Sequence, residues 1–424
     1  MYALIDCNNF YASCQRVFNP ALNHQPVVVL SNNDGCVIAR SNEAKSIGIP
    51  MGAPAFKWEP FFKQHGVHVF SCNFALYGDM SRRVMNLLAT FSPDIEVYSI
   101  DEAFLEFTGN QNTDFLFLGS QIRTMITRGT GIPISVGFAP TKVLAKVANK
   151  IAKKFPERTG DVYVIDTENK REKALRWTKI EDVWGIGRRE TKKLQKIGVF
   201  NAHQFTQLND AWVKTNMSIT GLRIKKELEG ISVLELEEVE DKRSIATTRS
   251  FDTMLTTEAE LEERITTYAT LSAEKLRRQQ GVCQLITVFI KTNRFKPELP
   301  QYYKSVTVAI DFPTSSTIDI IKAAKKGLKE IFLPEFHYKK AGVILSEIQE
   351  TDAVQLNLFH IRNTKHEVLM KTIDDVNKYW GGDRKVRFAG QSLNYVWKMR
   401  QEKLSPRYTT RIHEIIEINL KREK

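Results

Sequence analysis

Two adjacent acids, Asp101 and Glu102, sit inside the run Tyr98-Ser99-Ile100-Asp101-Glu102-Ala103-Phe104, and a third, Asp6, follows Leu4-Ile5. Burying an ionised carboxylate is costly unless a cation or hydrogen bonds offset it. Three acids at the ends of apolar, strand-like runs therefore read as a divalent-metal site, and oxygen-only ligands favour Mg²⁺ over zinc. A single Asp at a strand end is also a common turn former or helix cap, so both readings stay open for Asp6 taken alone. Along a strand, adjacent side chains point to opposite faces, so Asp101 and Glu102 can serve one site only at a turn or bulge. Val97 and Ile100 before the pair, and Phe104, Leu105 and Phe107 after it, predict a hairpin whose tip presents the acids. Two metals held there would clamp the attacking and leaving oxygens of a phosphoryl transfer.

The residues around these acids resemble the Y-family translesion DNA polymerases, through Asp6-Cys7-Asn8-Asn9-Phe10-Tyr11-Ala12-Ser13-Cys14 and, later in the chain, Ser99-Ile100-Asp101-Glu102. The stretch Leu30-Ser31-Asn32-Asn33-Asp34-Gly35-Cys36-Val37-Ile38-Ala39-Arg40 narrows the likeness to the UmuC-type branch, and the resemblance runs from Met1 into the tail. It implies an α+β, multidomain right-hand polymerase: palm and fingers, a small helical thumb containing a helix-hairpin-helix, and a ferredoxin-like β-α-β-β-α-β little finger. It also implies error-prone, template-directed translesion synthesis in the SOS DNA-damage response, adding dNTP to a primer 3′ hydroxyl on primer-template DNA.

By the same resemblance, Asp6 and Asp101 hold both magnesium ions, Glu102 the ion nearer the primer, and the backbone carbonyl of Cys7 the nucleotide ion. Tyr11 becomes the steric gate that rejects a ribose 2′ hydroxyl, flanked at the nucleotide by Asn9, Phe10 and Ala39. A buried core tyrosine is the other reading of Tyr11, and in it Phe10 could exchange roles with its neighbour. Where many members carry Tyr and Arg at the triphosphate, this chain has Asn42 and Lys45. Lysine keeps the charge but not the two-pronged fork of arginine, so weaker nucleotide binding is expected.

Composition agrees with a folded chain: 424 residues predict two to four domains, and 42% hydrophobic content suffices for globular cores. The five cysteines (Cys7, Cys14, Cys36, Cys72 and Cys283) form no C-x-x-C pair, so neither a disulfide framework nor a thiolate zinc site is indicated. A reducing cytoplasm is the expected compartment. The amino terminus has no basic leader, and no apolar run approaches the roughly 20 residues of a membrane span.

The elements that must position the acids can be read in outline. Residues 1–165 mix strands (Tyr2 to Ile5, Val27 to Leu30, Val97 to Ile100, Ile132 to Phe138) with helices and predict one catalytic unit of palm and fingers, the fingers at about 19–75. In a helix from Thr141 to about Lys154, Val143, Val147 and Ile151 share a stripe, and Lys142 lies in the first turn, where free N–H groups favour phosphate. Lys142 is thus either a triphosphate contact or part of a solvated helix face.

Residues 166–240 predict the helical thumb. There Trp184-Gly185-Ile186-Gly187-Arg188-Arg189 reads as a hairpin whose glycines let the backbone approach a DNA phosphate, with Arg188 and Lys192 supplying charge, or else as an ordinary helix-capping turn. Residues 241–352 give strand, helix, strand, strand, helix, strand, with Thr257 and Glu260 as a capping box.

Residues 353–424 form the predicted tail. It carries 15 Lys and Arg against 8 acids, where residues 1–352 carry 46 against 41, so most of the net charge of +12 lies there. Such a tail either contacts nucleic acid or is simply solvated. Gln355-Leu356-Asn357-Leu358-Phe359 resembles a peptide that orders on the β sliding clamp, with Leu358 and Phe359 in an apolar pocket and Gln355 setting register; a helix start or core strand is the plainer reading. Beyond it, Trp380-Gly381-Gly382-Asp383-Arg384, Phe388-Ala389-Gly390 and Ser405 to Arg411 are similar to the UmuC-type carboxyl region, which implies contacts with a RecA filament and a cleaved UmuD-type dimer. Two other functions are compatible with the acids: a palm-fold nucleotidyl cyclase, or a non-catalytic recruitment factor binding clamp and filament.

Overall fold

The computed structural model describes residues 1–108, 113–238, 240–351, 364–379, 385–391 and 399–417. They form two compact units, residues 1–238 with 401–424, and residues 239–400. The division differs from the expected one at its carboxyl end. Residues 364–379 and 385–391 belong to the second unit, and residues 401–417 to the first. The averaged polarity of the tail hides Met370, Phe388 and Tyr408, each of which packs into or against an apolar core.

In chain order the first unit contains β1 (Tyr2–Cys7), α1 (Phe10–Phe18), β2 (Val27–Leu30), β3 (Val37–Arg40), α2 (Asn42–Ser46), α3 (Ala55–Gln64), β4 (His68–Ser71) and α4 (Phe74–Leu88). There follow β5 (Ile95–Val97), β6 (Glu102–Glu106), α5 (Phe115–Thr130), β7 (Ile134–Ala139), α6 (Lys142–Lys154), α7 (Pro156–Thr159) and β8 (Val162–Val164). Helices α8 (Glu168–Trp177), α9 (Arg188–Lys196), α10 (Ala202–Thr206) and α11 (Asp210–Leu228) complete it. Among the described residues the main sheet runs β5-β6-β1-β7-β8, and β3-β2-β4 form a smaller sheet with its own core around Val28, Val37 and Phe62.

Alternation along β1 decides what the main sheet does. Ala3, Ile5 and Cys7 face a core that includes Leu76 and Tyr77 of α4 and Ile122 and Ile126 of α5. Tyr2 and Leu4 face the other core, built with Val143, Leu144 and Val147 of α6. By the same period of two, Asp6 lies on the α6 face. So do Glu102 and Glu106, which flank Phe104 on β6, because Phe104 belongs to the α6 core. Helix α6 lies directly on the β7 backbone: a Cβ on Gly137 would come within 2.1 Å of the Asn149 amide nitrogen. Only glycine permits that approach.

The second unit follows the expected order: β9 (Ile245–Leu255), α12 (Glu258–Arg278), β10 (Gly281–Thr292), β11 (Tyr303–Thr314), α13 (Thr317–Ile331) and β12 (Tyr338–Ser346). The capping box of Thr257 and Glu260 is formed. Strand order is β11-β10-β12-β9, each neighbouring pair antiparallel. The strands joined by each helix therefore run parallel with another strand between them, the split βαβ arrangement. Helix α14 (Thr364–Tyr379) docks on this unit through a two-pronged pair, Arg277 Nε to Asp374 Oδ2 at 2.7 Å and Nη2 to Oδ1 at 2.8 Å.

Candidate active site

The expected hairpin is present, with its strands shorter than the apolar run suggests. Strand β5 ends at Val97, β6 begins at Glu102, and the tip comprises Tyr98 to Asp101. The Ser99 hydroxyl shapes it, accepting from the amides of Asp101 (3.2 Å) and Glu102 (3.1 Å) while donating to Asp101 Oδ1 at 2.6 Å. Strand β1 aligns the remaining acid. Asp6 pairs in register with Glu102, and the Cys7 amide donates to the Asp101 carbonyl at 2.8 Å. Directly opposed residues of an antiparallel pair share a face, so Asp6 and Glu102 point the same way and Asp101 adjoins them in the turn.

Helix α6 faces this acidic edge with a polar stripe at Lys142, Lys146, Asn149 and Lys153, the spacing of one helical face. Lys153 Nζ lies 2.5 Å from Asp6 Oδ1 and Lys146 Nζ 3.0 Å from Glu102 Oε2. The Asn149 side chain donates through Nδ2 to the carbonyls of Ser135 (2.7 Å) and Leu4 (3.2 Å), tying helix to sheet between the two lysines. Lys146 also lies over the Tyr98 ring at 4.2 Å, and the Trp184 indole donates to the Tyr98 hydroxyl at 3.0 Å. Burial pushes the Asp6 carboxyl well above the usual range, to about 7; Lys153 opposes the rise, and Glu102 and Asp101 add to it.

Among the described residues no three His, Cys, Asp or Glu side chains stand close enough together to hold a metal ion as they are. Two of the three carboxylates are instead neutralised by Lys153 and Lys146. The donor set itself, three carboxylates, is that of a hard divalent cation.

The nucleotide candidates separate into two groups. Asn9, in a left-handed conformation at the start of α1 (φ 51°), donates through Nδ2 to Asn42 Oδ1 at 3.0 Å and accepts from Lys45 Nζ at 2.5 Å. Burial, and then the charges of Arg40 and Lys153, lower the pKa of the Lys45 ammonium, while Asp6 raises it. Asn9, Asn42 and Lys45 thus form one hydrogen-bonded cluster whose ammonium senses the charges of both Lys153 and Asp6. Ala39 is buried on β3.

Two expectations are corrected. Lys142 is not poised for a triphosphate: it is 2% exposed, its ammonium 2.6 Å from Glu96 Oε2 and 3.1 Å from the Glu235 carbonyl. The stripe that carries it turns inward at that end of α6. The Phe10 ring, 3% exposed in the α4–α5 core, has no face left for a ligand. Tyr11, only half-buried, stacks on Tyr77 at 4.4 Å and meets Phe74 edge-on at 6.2 Å. Burial and then the Asp101 charge raise its phenol pKa.

Lys146 and Lys153 are the residues that sequence reasoning missed. Their signal was the spacing of 142, 146, 149 and 153, a polar stripe beside the apolar one already recognised on the same helix. Around the thumb turn, Gly185 takes φ +90° and a Cβ there would meet Ile224 Cδ1 at 2.5 Å. Gly187 caps α9, and Gly185, Gly187, Arg188 and Lys192 are all exposed. The segment before the turn is a single 3-10 turn, Ile180–Asp182, rather than a full helix. The clamp-peptide residues Gln355, Leu356, Leu358 and Phe359 lie outside the described residues.

Residues 5–150 match the impB/mucB/samB family, residues 242–358 that family's C-terminal domain, and residues 367–418 a domain of unknown function. The chain belongs to the impB/mucB/samB family. Among impB/mucB/samB relatives it is 41% identical to the UmuC protein of Salmonella typhimurium, over 99% of this chain and 100% of that one. It is 26% identical to DNA polymerase IV of Oceanobacillus iheyensis over 89% of each chain. A solved chimera of Y-family DNA polymerases superimposes with a TM-score of 0.66 at 21% identity, covering 82% of this chain and 99% of its own. The impB/mucB/samB chain thus has the Y-family polymerase fold. Among the described residues no helix is long and apolar enough to cross a membrane.

Proposed function

We infer that the chain is a template-directed DNA polymerase of the Y family carrying out translesion synthesis. The observation that carries the reading is the meeting, in a chain of this family, of Asp6, Asp101 and Glu102 at one sheet edge, with Lys153 and Lys146 paired to two of them. Nothing favours the cyclase or recruitment-factor alternatives.

Asp6, Asp101, Glu102 and the Cys7 carbonyl would hold two magnesium ions, which when bound neutralise triphosphate charge and make the primer 3′ hydroxyl more acidic. The chain's own groups supply the rest. Lys153, on Asp6 at 2.5 Å and close enough for its charge to act on Lys45, would be free to donate to phosphate oxygens if a cation held that carboxylate. Lys146 holds the Glu102 carboxylate in place. Tyr11, fixed by Tyr77 and Phe74, acts by exclusion: its ring under C2′ leaves a 2′ hydroxyl no room and no compensating partner. Gly185, Gly187, Arg188 and Lys192 would meet DNA phosphates without reading sequence. Gln355, Leu356, Leu358 and Phe359 would dock on the β sliding clamp, and the carboxyl region would meet a RecA filament and a cleaved UmuD-type dimer in the cytoplasm; the sequence motifs support these partners.

Primer extension across an abasic site, with Mg²⁺, clamp, UmuD-type dimer and RecA filament supplied, tests the reading. Extension past the lesion by the intact chain but not by Asp101→Ala is expected. Equal extension by both would remove Asp101 from the chemistry, and filament binding with no extension by either would favour the recruitment factor.

A further inference from the structure

We propose that the segment Gln401–Tyr408, within the domain of unknown function, is a strap that positions the sugar-selecting tyrosine; the inference rests on the reading of Tyr11 as the steric gate. Tyr11 is carried by α1, and the rings against it, Phe74 and Tyr77, by the first turn of α4. Where the Tyr11 ring sits therefore depends on how α1 and α4 are held together.

The strap binds both helices. Asn73 caps α4, its side-chain oxygen accepting from the Leu76 amide at 3.3 Å. The other half of the same buried carboxamide donates into the strap, to the Ser405 carbonyl (3.0 Å), the Ser405 hydroxyl (3.1 Å) and the Pro406 carbonyl (3.2 Å). At the far end of α1, the Phe18 ring stacks on Tyr408 at 4.7 Å, nearly parallel at 12°. Between these anchors and β4 the backbone is continuous with the fold: the Ser71 amide donates to the Lys403 carbonyl at 2.9 Å, and the Lys403 amide to the Ser71 hydroxyl at 3.0 Å. Residues more than 330 positions away thus tie the start of α4 to the end of α1.

The geometry implies a specificity effect more than a rate effect. A gate that works by exclusion needs its ring fixed against the sugar, because a ring that can retreat admits the extra hydroxyl. Deoxynucleotide incorporation makes no such demand and should tolerate a looser pair of helices.

The test measures the ratio of kcat/KM for dNTP over the matching rNTP, with the full chain and its partner proteins on an undamaged primed template. This ratio is independent of the fraction of active enzyme, so a loss of folded protein does not move it. Tyr408→Ala and Asn73→Asp, which keeps a capping oxygen but replaces the donor with a carboxylate facing carbonyls, are each expected to lower the ratio roughly tenfold, short of the about hundredfold that a 1 Å misplacement can cost. Tyr408→Phe, which keeps the stacking ring, is expected to retain the ratio. Tyr11→Ala serves as the reference for complete loss. If Tyr11→Ala collapses discrimination while Tyr408→Ala and Asn73→Asp keep it, the strap has no part in sugar selection and the inference falls alone. If Tyr11→Ala leaves the ratio intact, the gate reading fails and the strap inference with it. Should the buried charge of Asn73→Asp prevent folding, the half-buried Tyr408→Ala decides the matter by itself.

Discussion

Lys142 and Lys153 stand on the same face of α6, and each pairs with one carboxylate of the same sheet, at 2.6 Å and 2.5 Å. Their surroundings differ. The side chains of Lys142 and Glu96 are 2% and 7% exposed, and Glu96 also accepts from the Glu237 amide at 2.7 Å. Those of Lys153 and Asp6 are 36% and 13% exposed, with two further acids nearby. A sealed pair is fixed, because breaking it leaves an uncompensated charge in the interior. An open pair can exchange its partner, since water and incoming ions reach it. The contrast suggests that one end of the stripe holds the fold and the other serves chemistry.

Substitutions can break this contrast. The largest effect is expected from the acids: Asp101→Ala should lower primer extension by about a thousandfold or more, equivalent to roughly 4 kcal/mol of barrier, while its urea midpoint stays near that of the intact chain. Next comes the sealed pair. Lys142→Ala should destabilise the first unit by about 3–5 kcal/mol in urea unfolding, and the apolar double substitution Lys142→Met with Glu96→Leu should recover most of that. If Lys142→Ala instead lowered activity with stability unchanged, the division into structural and chemical ends would be wrong.

The open pair should show the reverse. Lys153→Ala is expected to raise the KM for dNTP about tenfold with a stability change within about 0.5 kcal/mol, measured by steady-state kinetics and urea unfolding together. Smallest is Lys45→Arg. It keeps the charge and adds the fork, so the nucleotide KM should fall a few-fold; a rise would mean that the Asn9–Asn42–Lys45 geometry, not charge, governs binding.

How far the sequence reached follows the same physics. The hairpin tip was legible because two adjacent acids between β-prone runs have few structural alternatives, and the second unit because its strands alternate and its helix carries a capping box. Lys142 was misplaced because a first-turn lysine on a helix signals phosphate only if that turn is open, and the burying partner, Glu96, lies 46 residues away. Lys153 was missed for the complementary reason. Its partner is Asp6, and only the strand register places the two together. The strap was illegible because its anchors, Asn73 and Phe18, are polar or aromatic residues with nothing local to mark them.

The interleaved strand order of the second unit has a consequence during synthesis. β12, spanning Tyr338–Ser346, is the shared neighbour of β9 and β10, yet it is the last of the four to be made. While the chain emerges from the ribosome, β10 and β11 can zip as a hairpin, but β9 has no sheet to join until residue 346 is out. A stalled or truncated chain ending before β12 would present a long unpaired strand to its neighbours, and this unit should be the aggregation-prone intermediate of any incomplete product.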